Sequence, residues 1–264
     1  MPNHVLRTIH AAEQSDDRKF ITALARGLLV LSAVGDDVSG LSHQEICQAS
    51  GLPKATVSRL IYTLMQTGFL SMVGDRYRLG VASLLLGQHA DTHHSLAVRA
   101  KPLMQDFAKM YQVSVSLATE SMGEMVYVES VRSPAKLTVQ LSVGSRLPIA
   151  TTSVGRALFA VSDDKHRQAL LQDLASHQPN INLQQARTLL EQHATSYHAQ
   201  GYSISNGEFS PDIMAVAVAV YNPLAKRHTH AINASVPAST WQQADFVDFI
   251  CDKLQRLAVQ IGGG

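Results

Sequence analysis

The chain has 264 residues, 45% of them hydrophobic and 16% charged, with a mean hydropathy of +0.01. That balance excludes wholesale disorder, and the length leaves room for one or two packed domains. Twenty-two basic against 21 acidic side chains give a formal charge of +1, so any cationic surface has to be local, and the 2 cysteines, Cys47 and Cys251, are too few for a disulfide framework or a cysteine-rich metal site.

Residues 1–19 are polar and mixed in charge and read as a flexible arm without the apolar stretch of a targeting segment. The longest apolar run in the body, Ile213 to Tyr221, falls short of the ~18 residues that cross a membrane. A soluble cytoplasmic chain with no membrane partner is the expectation. From Phe20 the pattern turns helical, and Ile21, Leu24, Leu28 and Leu31 make one apolar stripe. Gly35-Asp36-Asp37 stops that helix. Ser42-His43-Gln44-Glu45 has the spacing of a capping box and opens a short helix to about Ala49. Gly51 ends it, and Pro53 suits the first turn of a third helix, about Pro53 to Thr67.

In that third helix Val57, Leu60, Ile61 and Leu64 share the face expected in the core, while Lys54, Ala55, Ser58, Arg59 and Tyr62 share the other. Phe69 to Val73 and Arg76 to Leu79 alternate around Gly74-Asp75, which predicts a β-hairpin. Helix, helix, turn, helix, hairpin is the order of a winged helix-turn-helix. A helix that reads DNA needs one buried face to fix its angle and a polar N-terminal half that reaches base edges. Lys54, Thr56 and Ser58 suit phosphate or base contacts, Arg59 suits bidentate contact with guanine, and Arg76 and Arg78 suit the tip of the wing. Ser42, Ala55 and Tyr62 complete the candidate DNA-contacting set. A solvated basic face would explain any one of these features; their joint occurrence in this order favours double-stranded DNA as partner.

Residues 81–97 read as a linker helix, and a helix from about Leu96 to Tyr111 is expected to be interrupted by Pro102. The pattern then changes to period two at Val113, Val115 and Leu117. Met125 to Val128 and Leu137 to Leu141 read as further strands, and 153–161, 163–176 and 183–200 as helices. Val216 to Tyr221 and Ala231 to Val236 read as an antiparallel pair, and Trp241 to Ile261 as a closing amphipathic helix. The C-terminal part is therefore an antiparallel sheet with helices packed on it, an α+β arrangement.

Leu52 to Leu60, Gly68-Phe69-Leu70 and Tyr77-Arg78-Leu79-Gly80 resemble the DNA-binding domain of IclR-type bacterial transcriptional regulators. Val143 to Pro148 with Thr152, Gly155, Arg156 and Ala157, and Gly201-Tyr202 with Asn206-Gly207-Glu208 and Pro211, resemble that family's second domain. The resemblance implies a winged helix-turn-helix over 20–80, a linker helix over 81–97 and a GAF-like effector-binding domain over 98–264. It implies a homodimer or dimer of dimers on a roughly palindromic operator, and a small organic effector, often a carboxylate. The residues permit this, because free amides and hydroxyls at a helix start make an anion site and Thr151-Thr152-Ser153 precede the helix near Val154. The resemblance puts the ligand carboxylate on the amides of Ser153 and Val154, beside Thr152 and Gly155, with Ser205, Ala215, Asn233 and Ser235 closing the pocket. An acid often found at the Ser205 position is absent, Met214-Ala215 replaces a frequent Arg-Cys pair, and Asn233 stands where serine is common. With Met214, Val216 and Val218 nearby, a more apolar pocket is expected.

Other chemistry lacks its residues. His89 and His93 have i, i+4 spacing but no third ligand type in a recognisable motif, and His228 and His230 read as surface residues. Neither a Gly-x-Ser-x-Gly elbow nor a phosphate-binding glycine loop occurs. No catalytic residue, metal or cofactor is expected. Two alternatives stay open on sequence: a GAF-like domain that turns over a small acid, and an architectural DNA-binding protein with a vestigial pocket.

Overall fold

A computed structural model describes residues 6–263 apart from 7, 10, 11, 13–17, 36, 38, 94, 136–140 and 179; for 88–93 and 95 it describes the backbone alone. The expected strand over 137–141 lies outside the described residues except for Leu141. The chain divides into two compact units, residues 1–93 and 94–264.

In the first unit α1 (Thr22–Gly35), α2 (His43–Ser50) and α3 (Lys54–Gln66) enclose a small core of Val30, Val34, Ile46, Val57, Ile61 and Leu70. The hairpin of β1 (Leu70–Val73) and β2 (Arg76–Leu79) follows, with Leu70 opposite Leu79 and Val73 opposite Arg76, and then α4 (Val81–His93). Gly51 caps α2 at φ 66°, a left-handed turn that glycine takes without a Cβ penalty.

Two expectations fail here. In α1 the stripe Ile21, Leu24 and Leu28 is exposed; Ala25, Leu29, Val30, Ala33 and Val34 are buried in its place. This helix is apolar almost all round, so periodicity alone does not pick the inward face. Within the stretch read as a flexible arm, Leu6, Thr8, Ile9 and Ala12 are helical, and Ile9 is buried in a cluster with Ala25 and Leu29.

The second unit begins with α5 (Ser95–Tyr111), which runs unbroken through Pro102. The proline lies on the exposed side, and the opposite face, including Ala100, Met104, Phe107 and Ala108, is packed in the core. A six-stranded antiparallel sheet follows in the order β5-β4-β3-β8-β7-β6, made of β3 (Ser114–Ser121), β4 (Glu124–Val131), β5 (Arg146–Pro148), β6 (Ser203–Asn206), β7 (Ile213–Asn222) and β8 (Arg227–Pro237). The helices α6 (Ser153–Val161), α7 (Asp164–His177), α8 (Leu183–Gln200) and α9 (Gln243–Gly262) complete the unit. Asp163 and Asn182 cap α7 and α8 by accepting from the amides of His166 and Gln185.

The strands explain where a cavity can form. In β7, Met214, Val216, Val218 and Val220 alternate with Ala215, Ala217 and Ala219; in β8, Ile232, Ala234 and Val236 alternate with Ala231, Asn233 and Ser235. Successive side chains point to opposite faces of a strand. The row that holds the larger residues therefore packs with α5 and α9 in one core, while the row of Ala215, Ala217, Ala219, Ala231, Asn233 and Ser235 faces α6. This overturns the expectation that Met214, Val216 and Val218 make the pocket apolar, since they belong to the other face. His230, read as a surface residue, is 1% exposed, because β8 is a central strand flanked by β3 and β7 at that position.

Every residue of α6 from Ser153 to Ala160 is buried. Its N-terminus approaches the chain so closely that a Cβ on Gly155 would meet Ile149 O at 2.1 Å. Gly155→Ala is expected to lower stability by ~2 kcal/mol or more, since the obstacle is backbone; thermal unfolding measures it, and an unchanged Tm would show that α6 shifts freely.

Candidate nucleic-acid interface and ligand cavity

The capping box forms as its spacing predicts. Ser42 Oγ accepts from Glu45 N at 3.3 Å, and Ser42 N donates to Glu45 Oε2 at 2.7 Å. The same carboxylate receives Arg76 Nη2 at 2.9 Å, and Arg76 Nε donates to Gly40 O at 2.9 Å. Arg76, expected to reach outward from the wing, is thus turned back to tie β2 to the start of α2. Ser42 likewise spends its oxygen on the cap.

Of the remaining candidates, Lys54, Ala55, Ser58, Arg59, Tyr62 and Arg78 are exposed and Thr56 is half-buried. Burying Val57 and Ile61 turns the Lys54, Ser58 and Arg59 side of α3 outward. Arg78 stays near the helical core through Nε, which donates to Ser39 O at 3.2 Å. One contact had no signal in the sequence. His43 Nε2 lies 2.9 Å from Ser58 Oγ, and Ser58 Oγ donates to Lys54 O at 3.0 Å, so His43 links the first turn of α2 to the outward side of α3.

Glu45's pKa is held below the ordinary carboxylate value, first by hydrogen bonds from the Ser42 backbone and side chain and then by Arg76. A carboxyl whose folded pKa is depressed contributes stability above its unfolded pKa and loses it as pH falls through the folded value. Glu45→Gln is therefore expected to lower the Tm at pH 7, with the gap closing below the usual carboxylate range. A gap of constant size down to acid pH would assign the loss to packing.

The second unit holds a cavity of about 20 Å³, lined by Tyr127, Leu141, Leu147, Thr152, Ser153, Val154, Ser205, Phe209, Ile213, Ala215, Asn233 and Ser235. Seven of the eight expected ligand-contacting residues are in this lining. Gly155 is not; its role is the close backbone contact with Ile149. Tyr127, Leu141, Leu147, Phe209 and Ile213 carried no motif, since an aromatic or aliphatic residue on a strand or loop reads as ordinary core.

The start of α6 has no side-chain cap, because Thr152 Oγ1 donates to Pro148 O at 2.7 Å instead. Behind it, Arg156 is 1% exposed and donates to Ala150 O at 2.9 Å, Ile204 O at 2.7 Å and Glu208 Oε1 at 3.0 Å. Glu208 also accepts from Asn206 N and, at 3.3 Å, from Ser205 Oγ. The hydrogen bonds of Arg156 therefore join α6, β6 and the segment after β6 around the cavity. Neither cysteine takes part: Cys47 is in the first unit, and burial pushes the Cys251 thiol in α9 up to about 11. No group of histidine, cysteine or acidic residues that could hold a metal occurs among the described residues. Nor is any described helix long and apolar enough to cross a membrane.

Residues 23–73 match the IclR helix-turn-helix domain, and residues 88–262 match the C-terminal domain of bacterial transcriptional regulators of the same type. The chain belongs to the IclR family. It is a DNA-binding transcriptional regulator by that membership. It is 26% identical over 230 residues to the HTH-type transcriptional regulator TsaQ1/TsaQ2 of Comamonas testosteroni, covering 86% of this chain and 82% of that one. It is 28% identical over 212 residues to the Pca regulon regulatory protein of Pseudomonas putida, covering 78% and 71%. An IclR family regulator from Brucella abortus is similar in structure, with a TM-score of 0.65 and 31% identity over 94% of this chain and 93% of that one. An IclR homologue from Microbacterium hydrocarbonoxydans, solved with 4-hydroxybenzoate, shares the fold at a TM-score of 0.71 and 21% identity over 91% and 98%.

Proposed function

We propose that this IclR-type regulator is a cytoplasmic homodimer or dimer of dimers, controlled by a small organic acid bound in the cavity under α6, and that it acts on a roughly palindromic operator. The observation that carries the reading is convergence. The uncapped start of α6, Ser205 of β6, Ala215 of β7 and Asn233 and Ser235 of β8 meet at one enclosed space. A helix N-terminus presents amide donors and the positive end of its dipole, which suits a carboxylate. The homologue solved with 4-hydroxybenzoate supports an acid of this size class. The positions of Cys47 and Cys251, outside the cavity, favour binding over turnover.

At about 20 Å³ the cavity has room for a water molecule rather than an organic acid, so the ligand binds a state in which lining side chains have withdrawn. A ligand that prefers that state shifts the population toward it, which is the physical basis of control. For self-association, Leu24 and Leu28 of α1, Ile21 just before it, and Val81, Leu84, Leu85 and Leu86 of α4 are large apolar side chains at least half exposed. Exposed apolar surface of this kind suits a partner interface, and two-fold symmetry would repeat the reading helix on two half-sites.

On DNA, α3 supplies the base contacts and Arg78 a phosphate contact. With an operator selected from random duplexes, Arg59→Ala is expected to weaken specific binding by about tenfold or more and random-sequence binding by much less. Equal losses on both would make Arg59 a phosphate contact. Ser153→Leu is expected to abolish the effector response while leaving operator affinity intact, measured by fluorescence anisotropy with and without ligand. An intact response would place the effector elsewhere.

A further inference from the structure

We infer that the cavity selects acids that carry a second, hydrogen-bond-donating group, received by the side-chain carbonyl of Asn233. The inference rests on the acid-binding reading above and specifies what the other end of the ligand must be.

Asn233 is 4% exposed on the α6 side of β8 and lines the cavity. Its Nδ2 donates to Tyr127 Oη at 3.1 Å, whereas its Oδ1 is buried with no hydrogen-bond partner. A row of hydroxyls lies on the far side of Tyr127, away from the cavity. Ser130 Oγ donates to Leu141 O at 3.3 Å, and a carbonyl can only accept. Ser130 Oγ, having given its proton, accepts from Ser116 Oγ at 2.9 Å. Ser116 also lies beside the Tyr127 hydroxyl. Burial pushes that phenol up to about 12, so it is neutral at physiological pH, and its oxygen accepts from Asn233 Nδ2. The amide therefore presents N–H to Tyr127 and C=O to the cavity.

A buried carbonyl without a donor is costly, and a ligand hydroxyl or N–H that meets it relieves the cost. The same oxygen repels a carboxylate, so the acid end of the ligand goes to the amides at the start of α6 and the donor end to β8. Leu141, Leu147, Phe209 and Ile213 supply apolar walls. Asn233 is thus a specificity-determining residue, and Tyr127 is the positioning residue that holds its amide. A site built to pair a ligand hydroxyl discriminates strongly against the analogue that lacks it.

The test uses the full-length protein and isothermal titration with two triplets of acids matched except at the far end. One triplet is 4-hydroxybenzoate, 4-methoxybenzoate and 4-methylbenzoate; the other is 4-hydroxybutanoate, 4-methoxybutanoate and pentanoate. In at least one triplet the hydroxy acid is expected to bind about tenfold or more tightly than both analogues. Asn233→Leu is expected to erase that preference while still binding the methyl-terminated acid. Tyr127→Phe is expected to reduce the preference ratio, a readout that general loosening of the fold would not move. Equal affinities within each triplet overturn the inference, with solvent then meeting Oδ1, and leave the acid-binding reading standing. Tighter binding of a methoxy acid overturns the assigned direction of the amide. A preference that survives Asn233→Leu moves the donor contact to another residue. Binding of none of the six acids overturns both the inference and the acid-binding reading. The wild-type comparison stands even if a variant fails to fold.

Discussion

Arg156 is the charge around which the second unit closes. A guanidinium taken almost wholly out of water is tolerable only if its donors are spent. Here they are spent on Ala150 O before α6, Ile204 O on β6 and the Glu208 carboxylate beyond β6. Each of those partners is a near neighbour in the chain of a residue that lines the cavity: Thr152, Ser205 and Phe209. Because Arg156 sits one turn into α6, the demand that satisfies it also draws the first turn of that helix onto the polar side of the sheet. The cavity is the room left when a short helix, buried on every side, is held over strands whose facing residues are mostly alanine and serine. Small side chains on β7 and β8 keep the space open, and Gly155 lets the backbone approach closely enough to enclose it.

The first unit economises in a similar way with Glu45. One carboxylate caps α2 through the Ser42 amide and pairs with Arg76 from the wing. Local and long-range structure are thereby coupled: the group that starts a helix also places the hairpin. With Arg76 drawn inward, Lys54, Arg59 and Arg78 remain as the exposed cations of the reading helix and wing. A basic residue near a wing tip is not by that fact a DNA contact; what decides is whether a carboxylate of the same fold reaches it first.

The two units differ in how they use apolar residues. The second buries both faces of its sheet, each under its own set of helices. The first leaves large side chains of α1 and α4 in contact with solvent, while α1 turns Ala25, Leu29, Val30, Ala33 and Val34 inward. A domain of three short helices and a hairpin has little interior to offer. Surplus apolar surface is then available for association.

Much of this was legible in the chain itself. The capping box at Ser42, the turn at Gly51-Leu52-Pro53, the two faces of α3 and the Gly74-Asp75 hairpin are set by spacing over a few residues, where propensity and hydrogen-bond reach act alone. Seven of the eight residues carried over to the cavity from family motifs also come together there. Tertiary structure decided the remainder. α1 offers apolar residues on more than one side, and only the shape of its neighbours selects Ala25 and Leu29 over Leu24 and Leu28. Arg76 and Glu45 are far apart in sequence, so nothing local announces their pairing. Whether a valine or an alanine of β7 faces the cavity depends on which side α6 covers. Tyr127 of β4 and Asn233 of β8 meet only once both strands pair with β3, so no sequence motif marks the hydrogen bond between them. Short-range rules govern where elements begin and end; which way a side chain faces, and what it is asked to bond, is settled by packing between segments remote in the chain.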